Sequence, residues 1–318
     1  MTDRTFKAPI YAIGGPTASG KTALGVELAR RVGGEVINFD SVQIYRGVQI
    51  ATAKPMEAEK RGVPHHLIDY VEPNVNYTAA DWARDAEAKI TEIESRRRIP
   101  ILVGGTGFYL RTLRHPLFES PKTDEKLRER LRVIKEQKGS EHLHRILQRI
   151  DLEAAEKLEP RDSVRVTRAL EYYFQTGEFF SKQQPNRAEP PEFVARIRLF
   201  VLNPPRAVLY EKINKRAKEH FEVGLVEEVR SLVASGVNEH GNAMGSHGYR
   251  RVCEHLRGER SLEGALEKTQ QDVRNYAKRQ LTWFRRETDA IWLDGFGDSE
   301  AVQARLFDMI QPEITTQT

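Results

Sequence analysis

The residues best placed to do chemistry lie at positions 14–25, GGPTASGKTALG. Here Gly15, four intervening residues, Gly20, Lys21 and Thr22 follow the apolar run APIYAIGG. Glycines at this spacing let backbone N–H groups converge on an anion at the start of a helix. Lys21 adds a charge, and the Thr22 hydroxyl reaches a magnesium ion. Gly15, Pro16, Thr17, Ala18, Ser19, Gly20, Lys21 and Thr22 are therefore expected to cradle phosphate, with Thr22 as the metal ligand. An ATPase or GTPase built on such a loop ends a later strand with an acid that helps hold the metal. The later strand here, IPILVGG, runs into GGTG instead. The acidic strand end is Asp40, in INFDSVQIY. At the carboxyl edge of an open sheet, a lone carboxylate beside a phosphate loop can orient a nucleophile or take its proton. It can also serve, with Ser41, as the cap of a following helix.

A second chemical feature is the stretch DVRNYAKRQLTWFRR, residues 272–286, with five basic residues and no acid after Asp272. On a helix, Asn275, Arg279, Thr282 and Arg286 share one face, while Tyr276, Gln280 and Trp283 share another. Such a run serves as a solvated face, or as an RNA surface in which charges meet phosphates and aromatic rings meet unstacked bases. RVTRALEYYF and HGYRRV add weight to the second reading. His65 and His66 in PHHLID are adjacent, so they point in different directions, and packing or hydrogen bonding suits them better than a shared metal.

Positioning these groups requires a particular set of elements. IYAIGG reads as a strand, KTALGVELARRVG as a helix, GEVINFD as a second strand and IPILVGG as a parallel strand apolar on both faces. Between the last two, Trp82, Ala86, Ile90 and Ile93 recur at helical spacing. This alternation predicts an α/β protein with a P-loop-type parallel sheet covered by helices. From about 120 to 190 the character changes. DEKLRERLRVIKEQ, HLHRILQRI, LEAAEKLE and SVRVTRALEYYFQTG read as charged helices, with Gly177 as a stop, before the polar loop SKQQPNRAEPPE. ARIRLFVL and AIWLD then restore strands. The expected organisation is a catalytic core of residues 1–119 and 190–318 interrupted by a helical insertion of residues 120–189.

Length and composition bound the function. A chain of 318 residues can bury one large or two ordinary cores. With 39% hydrophobic residues and a mean hydropathy of −0.58, and without a run of about 20 apolar residues, it reads as soluble with no membrane partner. The start MTDRTFKAPIYAIGG lacks signal-peptide architecture, which points to the cytoplasm. Cys253 is the single cysteine, so intrachain disulfides and cysteine-based zinc sites are excluded. The net charge of +4 is mild; its clustering matters more.

Together, GGPTASGKTAL, DSVQIYRGVQIATAKP, PHHLIDYVEP, IPILVGGTGFYL and NYAKRQLTWFRR occur in the order found in bacterial tRNA dimethylallyltransferases, a family this chain resembles over residues 8–295. The resemblance implies transfer of a dimethylallyl group from its diphosphate to the exocyclic N6 of the adenosine just 3′ of the tRNA anticodon. It implies a magnesium ion and, as partners, dimethylallyl diphosphate and the tRNA anticodon stem-loop, acted on by a monomer. By the same resemblance the phosphate loop holds a leaving group, Arg216 contacts the diphosphate, Asp40 takes or orients the N6 proton, and Thr106 lies beside the adenine. Expected tRNA contacts are Asp40, Ser41, Val42, Gln43, Thr106, Arg165, Arg168, Gly248, Tyr249, Arg250, Lys278, Arg279, Gln280, Trp283 and Arg285. The chain departs from the family pattern at Ala51, where a glycine is usual, at Ser246 and His247, where aliphatic residues are common, and in RTLRHPLFESP, which lacks a glycine. An adenylate isopentenyltransferase, a small-molecule kinase and an RNA-binding module without chemistry are the competing readings. The insertion and the basic helix speak against the first, the lack of an adenine or magnesium module beyond the loop against the second, and Asp40 and Thr106 against the third.

Overall fold

The computed structural model describes residues 7–116, 121, 124–182 and 189–315. Parts of the N-terminal stretch, of RTLRHPLFESP and of the polar loop SKQQPNRAEPPE lie outside the described residues. The chain divides into two compact units, residues 1–114 with 191–318, and residues 115–190.

The larger unit is built on strands β1 (Ile10–Gly14), β2 (Gly34–Asn38), β3 (His65–His66), β4 (Ile99–Val103), β5 (Ile197–Leu202) and β6 (Ile291–Leu293). They pair in parallel throughout, in the order β3-β2-β4-β1-β5-β6. β1, β2 and β4 are buried at every position, as strands covered on both faces must be. Because side chains alternate, β1 sends Tyr11 and Ile13 into one core and Ile10 and Ala12 into the other. On the first face, Leu24 and Leu28 of helix α1 (Lys21–Val32) pack with Leu306 and Ile310, which lie near the C-terminus. On the second, Trp82, Ala86, Ile90 and Ile93, spaced as the sequence predicts, come from α3 (Ala79–Ser95). The short α2 (Glu57–Lys60) precedes β3, and α4 (Gly107–Arg114) follows β4.

The chain visits β2 and β3 on one side of β1, returns to β4, then crosses to β5 and β6. The crevice at the carboxyl ends of β1 and β4 is thus the switch point where open sheets bind ligands. Three backbone bonds tie its rim: Gly104 N–H to Ile13 O at 3.1 Å, Phe39 N–H to Val103 O at 3.0 Å and Thr106 N–H to Phe39 O at 3.2 Å. β3 was not anticipated as a strand. Its histidines do separate as expected: His65 Nδ1 is 2.9 Å from Val63 O, and His66 Nε2 is 2.7 Å from the Glu35 carboxylate.

The smaller unit is helical: α5 (Glu125–Lys138), α6 (Ser140–Ile150), α7 (Leu152–Lys157) and α8 (Ser163–Thr176). Leu131, Leu143, Leu147, Val166 and Leu170 form its core. Gly177, at φ 75°, stops α8 in the left-handed conformation that glycine adopts at no steric cost. In the larger unit, after β5, come α9 (Arg206–Glu222), α10 (Leu225–Ala234), α11 (His247–Leu256) and the long α12 (Leu262–Phe284), and α13 (Glu300–Thr315) follows β6.

Candidate active site

The phosphate loop joins β1 to α1. Gly15 (φ 140°), Ala18 (φ 63°) and Gly20 (φ 84°) all take positive φ, which curls the loop around a central space. The loop is held from outside: Gly297 N–H donates to Ser19 O at 2.8 Å, and a Cβ on Gly20 would sit 2.9 Å from the Gly297 and Asp298 nitrogens. The segment after β6 therefore clamps the loop, a contact that sequence patterns did not reveal.

Two cations enter this space. Lys21 Nζ rests 2.7 Å from Pro16 O, and Arg216 of α9 reaches the Thr17 hydroxyl. Neither forms an ion pair among the described residues. Burial lowers the Lys21 ammonium to about 8; Asp40 opposes that shift and Arg216 adds to it. Burial also lowers Arg216. One turn on, burial and Arg216 push His220 down to about 4, so its imidazole is neutral at neutral pH. Two desolvated, mutually repelling cations, with the Asp40 carboxylate acting on both and that of Glu219 on Arg216, form a site that an anion of high charge relieves.

Asp40 lies two residues beyond β2, in a turn and not before a helix. Its Oδ1 accepts the N–H groups of Val42 (2.9 Å) and Gln43 (3.3 Å), while Oδ2 has no hydrogen bond among the described residues. The cap read from the sequence is thus found on a turn and not on a helix. Gln43 Nε2 donates to the Thr52 and Ala53 carbonyls at 3.0 and 3.1 Å, and the Ser41 N–H donates to Thr106 Oγ1 at 3.0 Å. Ile44, Tyr45 and Val48 anchor the turn in a core shared with Leu225, Val229 and Val252.

The GGTG segment owes its glycines to close packing. A Cβ on Gly104 would lie 2.4 Å from Phe39 O, on Gly105 2.2 Å from Gln280 Nε2, and on Gly107 2.1 Å from the Trp283 ring. Gln280 bridges the two loops: its Oε1 accepts the Thr17 N–H at 2.8 Å, and its Nε2 donates to Gly105 O at 2.9 Å.

Two cavities meet here. One, of about 810 Å³, is lined by Thr17–Ala23, Gln43, Lys54 and Gln280. The other, of about 320 Å³, is lined by Ser41, Val42, Ile213, Ala217, His247 and Arg279. Thr17, Asp40, Thr52, Arg216, His220 and Tyr276 line both, and so form the neck between them. Thr22 lines the larger cavity, its hydroxyl without a hydrogen bond among the described residues. No group of three His, Cys, Asp or Glu side chains could chelate a metal among the described residues. A magnesium ion, which takes few protein oxygens and completes its shell with phosphate and water, fits this donor set.

The other expected contacts divide. Lys278, Arg279, Arg285 and Arg286 of the α12 region make no ion pair among the described residues, although most arginines elsewhere are paired. Asn275, Lys278, Arg279, Thr282, Trp283 and Arg286 line a groove of about 420 Å³. Arg111 lies 5.9 Å from the Trp283 ring centre, Phe108 meets that ring edge-on at 6.1 Å, and the indole N–H has no partner among the described residues. Arg250 is exposed on α11. Arg165 is exposed on α8 with Asp162 at 3.6 Å, and Arg168 is 3.5 Å from the buried Glu171 carboxylate, so part of each charge is already used. One expectation is corrected. Tyr249 is fully buried with its hydroxyl on Glu228 at 2.9 Å and offers no surface to RNA, whereas Gln280, 5% exposed with its amide engaged between the loops, lines the larger cavity. Gly248 is also buried; a Cβ there would lie 2.8 Å from that of Ala51. His220 and Tyr276, which complete the neck, were not singled out as site residues. The i, i+4 spacing of His220 from Arg216, and the presence of Tyr276 in the basic helix, were the available signals.

A parallel sheet with a phosphate loop at its switch point, a carboxylate in the neck and a basic aromatic groove defines a transferase of the P-loop NTPase-like class acting beside nucleic acid. The family model described as IPP transferase matches residues 43–287, and the chain belongs to that family. It is similar to a tRNA dimethylallyltransferase of Geobacter metallireducens, with 45% identity over 93% of this chain and 96% of the relative. It is also similar to one of Myxococcus xanthus, with 46% identity over 89% and 92%. The solved tRNA isopentenylpyrophosphate transferase of Bacillus halodurans superposes with a TM-score of 0.71 at 36% identity, covering 98% of each chain. A eukaryotic dimethylallyltransferase solved acting on tRNA superposes at 0.81 with 27% identity, covering 97% of this chain and 80% of that one.

Proposed function

We propose that this chain transfers the dimethylallyl group of dimethylallyl diphosphate to N6 of the adenosine immediately 3′ of the anticodon in tRNA. The observation that carries the reading is the pair of desolvated cations without ion pairs among the described residues, Lys21 and Arg216, in the cavity that Asp40 also lines. The diphosphate lies in the loop, against Lys21, Arg216 and the loop amides. As the N6–carbon bond forms, the allylic C–O bond breaks and its electron pair leaves with diphosphate. Lys21 and Arg216 stabilise that charge. The N6 proton passes to Asp40, and Thr106, tied to Ser41, borders the adenine. Thr22 would hold a magnesium ion, which would supply further charge neutralisation to the leaving group. The Lys278–Arg286 face and its groove take the tRNA backbone, and the target base swings out of its stack to reach the neck. The enzyme acts as a monomer, and no described helix is long and apolar enough to cross a membrane.

The test is incubation with labelled dimethylallyl diphosphate, magnesium and either tRNA, AMP or buffer. Label in tRNA supports the reading. Label in AMP, or diphosphate release without an acceptor, overturns it.

A further inference from the structure

Tyr276 occupies the neck without an assigned role. It is half-buried on α12 and lines both cavities with Asp40. Its ring is braced by His247, edge-on at 5.5 Å, and by the Arg279 guanidinium, 5.7 Å from the ring centre. Its phenol lies beside the side chains of Gln280 and Thr106 and in the field of the Asp40 carboxylate. The hydrogen-bonding capacities of these neighbours determine what the phenol can do. The Gln280 amide oxygen accepts the Thr17 N–H and one NH2 hydrogen goes to the Gly105 carbonyl, so the second NH2 hydrogen is left to face the phenol, as a donor. The Thr106 hydroxyl also lies 3.3 Å from Ser41 Oγ and can rotate. Once Thr106 donates to the phenol, the phenol's own proton is directed to a ligand. Burial and the Asp40 charge raise the Tyr276 pKa, so the group stays a protonated donor.

We infer that Tyr276 reads the acceptor base, its hydroxyl donating to the ring nitrogen beside the amino group while Asp40 Oδ2 accepts from N6–H. This rests on the adenosine acceptor proposed above. A donor and an acceptor side by side complement an amino base, which offers an N–H and an adjacent lone pair. A base with a carbonyl there would set oxygen against the Asp40 carboxylate. Donation to the ring nitrogen also draws electron density from the ring and acidifies N6–H, in step with proton transfer to Asp40. Tyr276 thus belongs with the residues that touch substrate, and it sets specificity.

The experiment uses anticodon stem-loops carrying adenosine, 1-deazaadenosine or 7-deazaadenosine at the target, with wild-type enzyme and Tyr276→Phe. For wild type, the analogue lacking the recognised nitrogen should lose about tenfold to a hundredfold in kcat/KM. Tyr276→Phe should lose a similar factor on adenosine and nothing further on that analogue. A purely structural tyrosine predicts equal losses on every acceptor, with the analogue penalty undiminished, and that result overturns the inference. Indifference of the wild type to both analogues does so as well, even should the variant fail to fold. A wild-type enzyme that transfers nothing to the adenosine stem-loop refutes instead the function on which the inference rests.

Discussion

Replacing Gln280 with leucine tests whether the two loops of the site are held by one side chain. Leucine keeps the approximate volume but leaves the Thr17 N–H and the Gly105 carbonyl without partners, at positions where Gln280 is 5% exposed. A buried unsatisfied backbone group costs about 1–3 kcal/mol. The Thr17 N–H borders the large cavity, where water reaches it, and so falls at the low end; the Gly105 bond is buried and carries the full penalty. The expected loss is about 2–4 kcal/mol. Trp82, Trp283 and Trp292 all belong to the unit of residues 1–114 and 191–318, so intrinsic fluorescence in urea follows that unit alone. With an m-value of roughly 3 kcal/mol/M, its midpoint should fall by about 1 M. Activity should fall more steeply than stability, because Thr17 and Thr106 would no longer be held at a fixed separation. A midpoint within about 0.1 M of wild type, with kcat unchanged, would show that the loops hold their places without Gln280.

Donor affinity should depend on pH in one direction. Free Lys21 loses its proton near 8, whereas bound diphosphate favours the ammonium; binding therefore takes up a proton, and affinity should weaken as pH rises through about 8, by up to about tenfold per unit. Titration calorimetry should show this slope in wild type and its absence in Lys21→Ala, which should also lose about 2.7–4 kcal/mol of barrier stabilisation. Asp40→Asn keeps the oxygen that accepts from Val42 and Gln43, so the turn should persist while kcat falls about 10²- to 10⁴-fold; a retained kcat with weakened tRNA binding would make Asp40 a positioning residue. Neutralising Lys278 and Arg279 together should reduce the slope of log K for tRNA against log salt by about 0.7–0.9 per lost phosphate contact. Single-turnover chemistry at saturating tRNA should change little, and an unchanged slope would move the tRNA surface elsewhere.

What the sequence determined by itself is local. Strand apolarity on both faces, the 3.6-residue spacing of Trp82, Ala86, Ile90 and Ile93, the glycine stop at Gly177 and the loop from Gly15 to Thr22 follow from backbone sterics and side-chain periodicity acting over a few residues. Each was legible for that reason. Only the tertiary structure decided which distant residues meet. Gln280 lies 263 positions from Thr17, and Arg216 lies 199 from it, yet they touch, because the sheet order brings the ends of β1 and β4 under α9 and α12. No periodicity encodes that order. The same limit explains the glycines of GGTG, which reflect close approach by Phe39, Gln280 and Trp283. It also explains Tyr249, whose neighbours in HGYRRV suggested a surface but whose side chain is buried against Glu228. For Asp40, the sequence supplied a carboxylate with two plausible duties. The fold shows what the sequence could not: the turn presents two N–H groups to Oδ1, and Oδ2 has no hydrogen bond among the described residues.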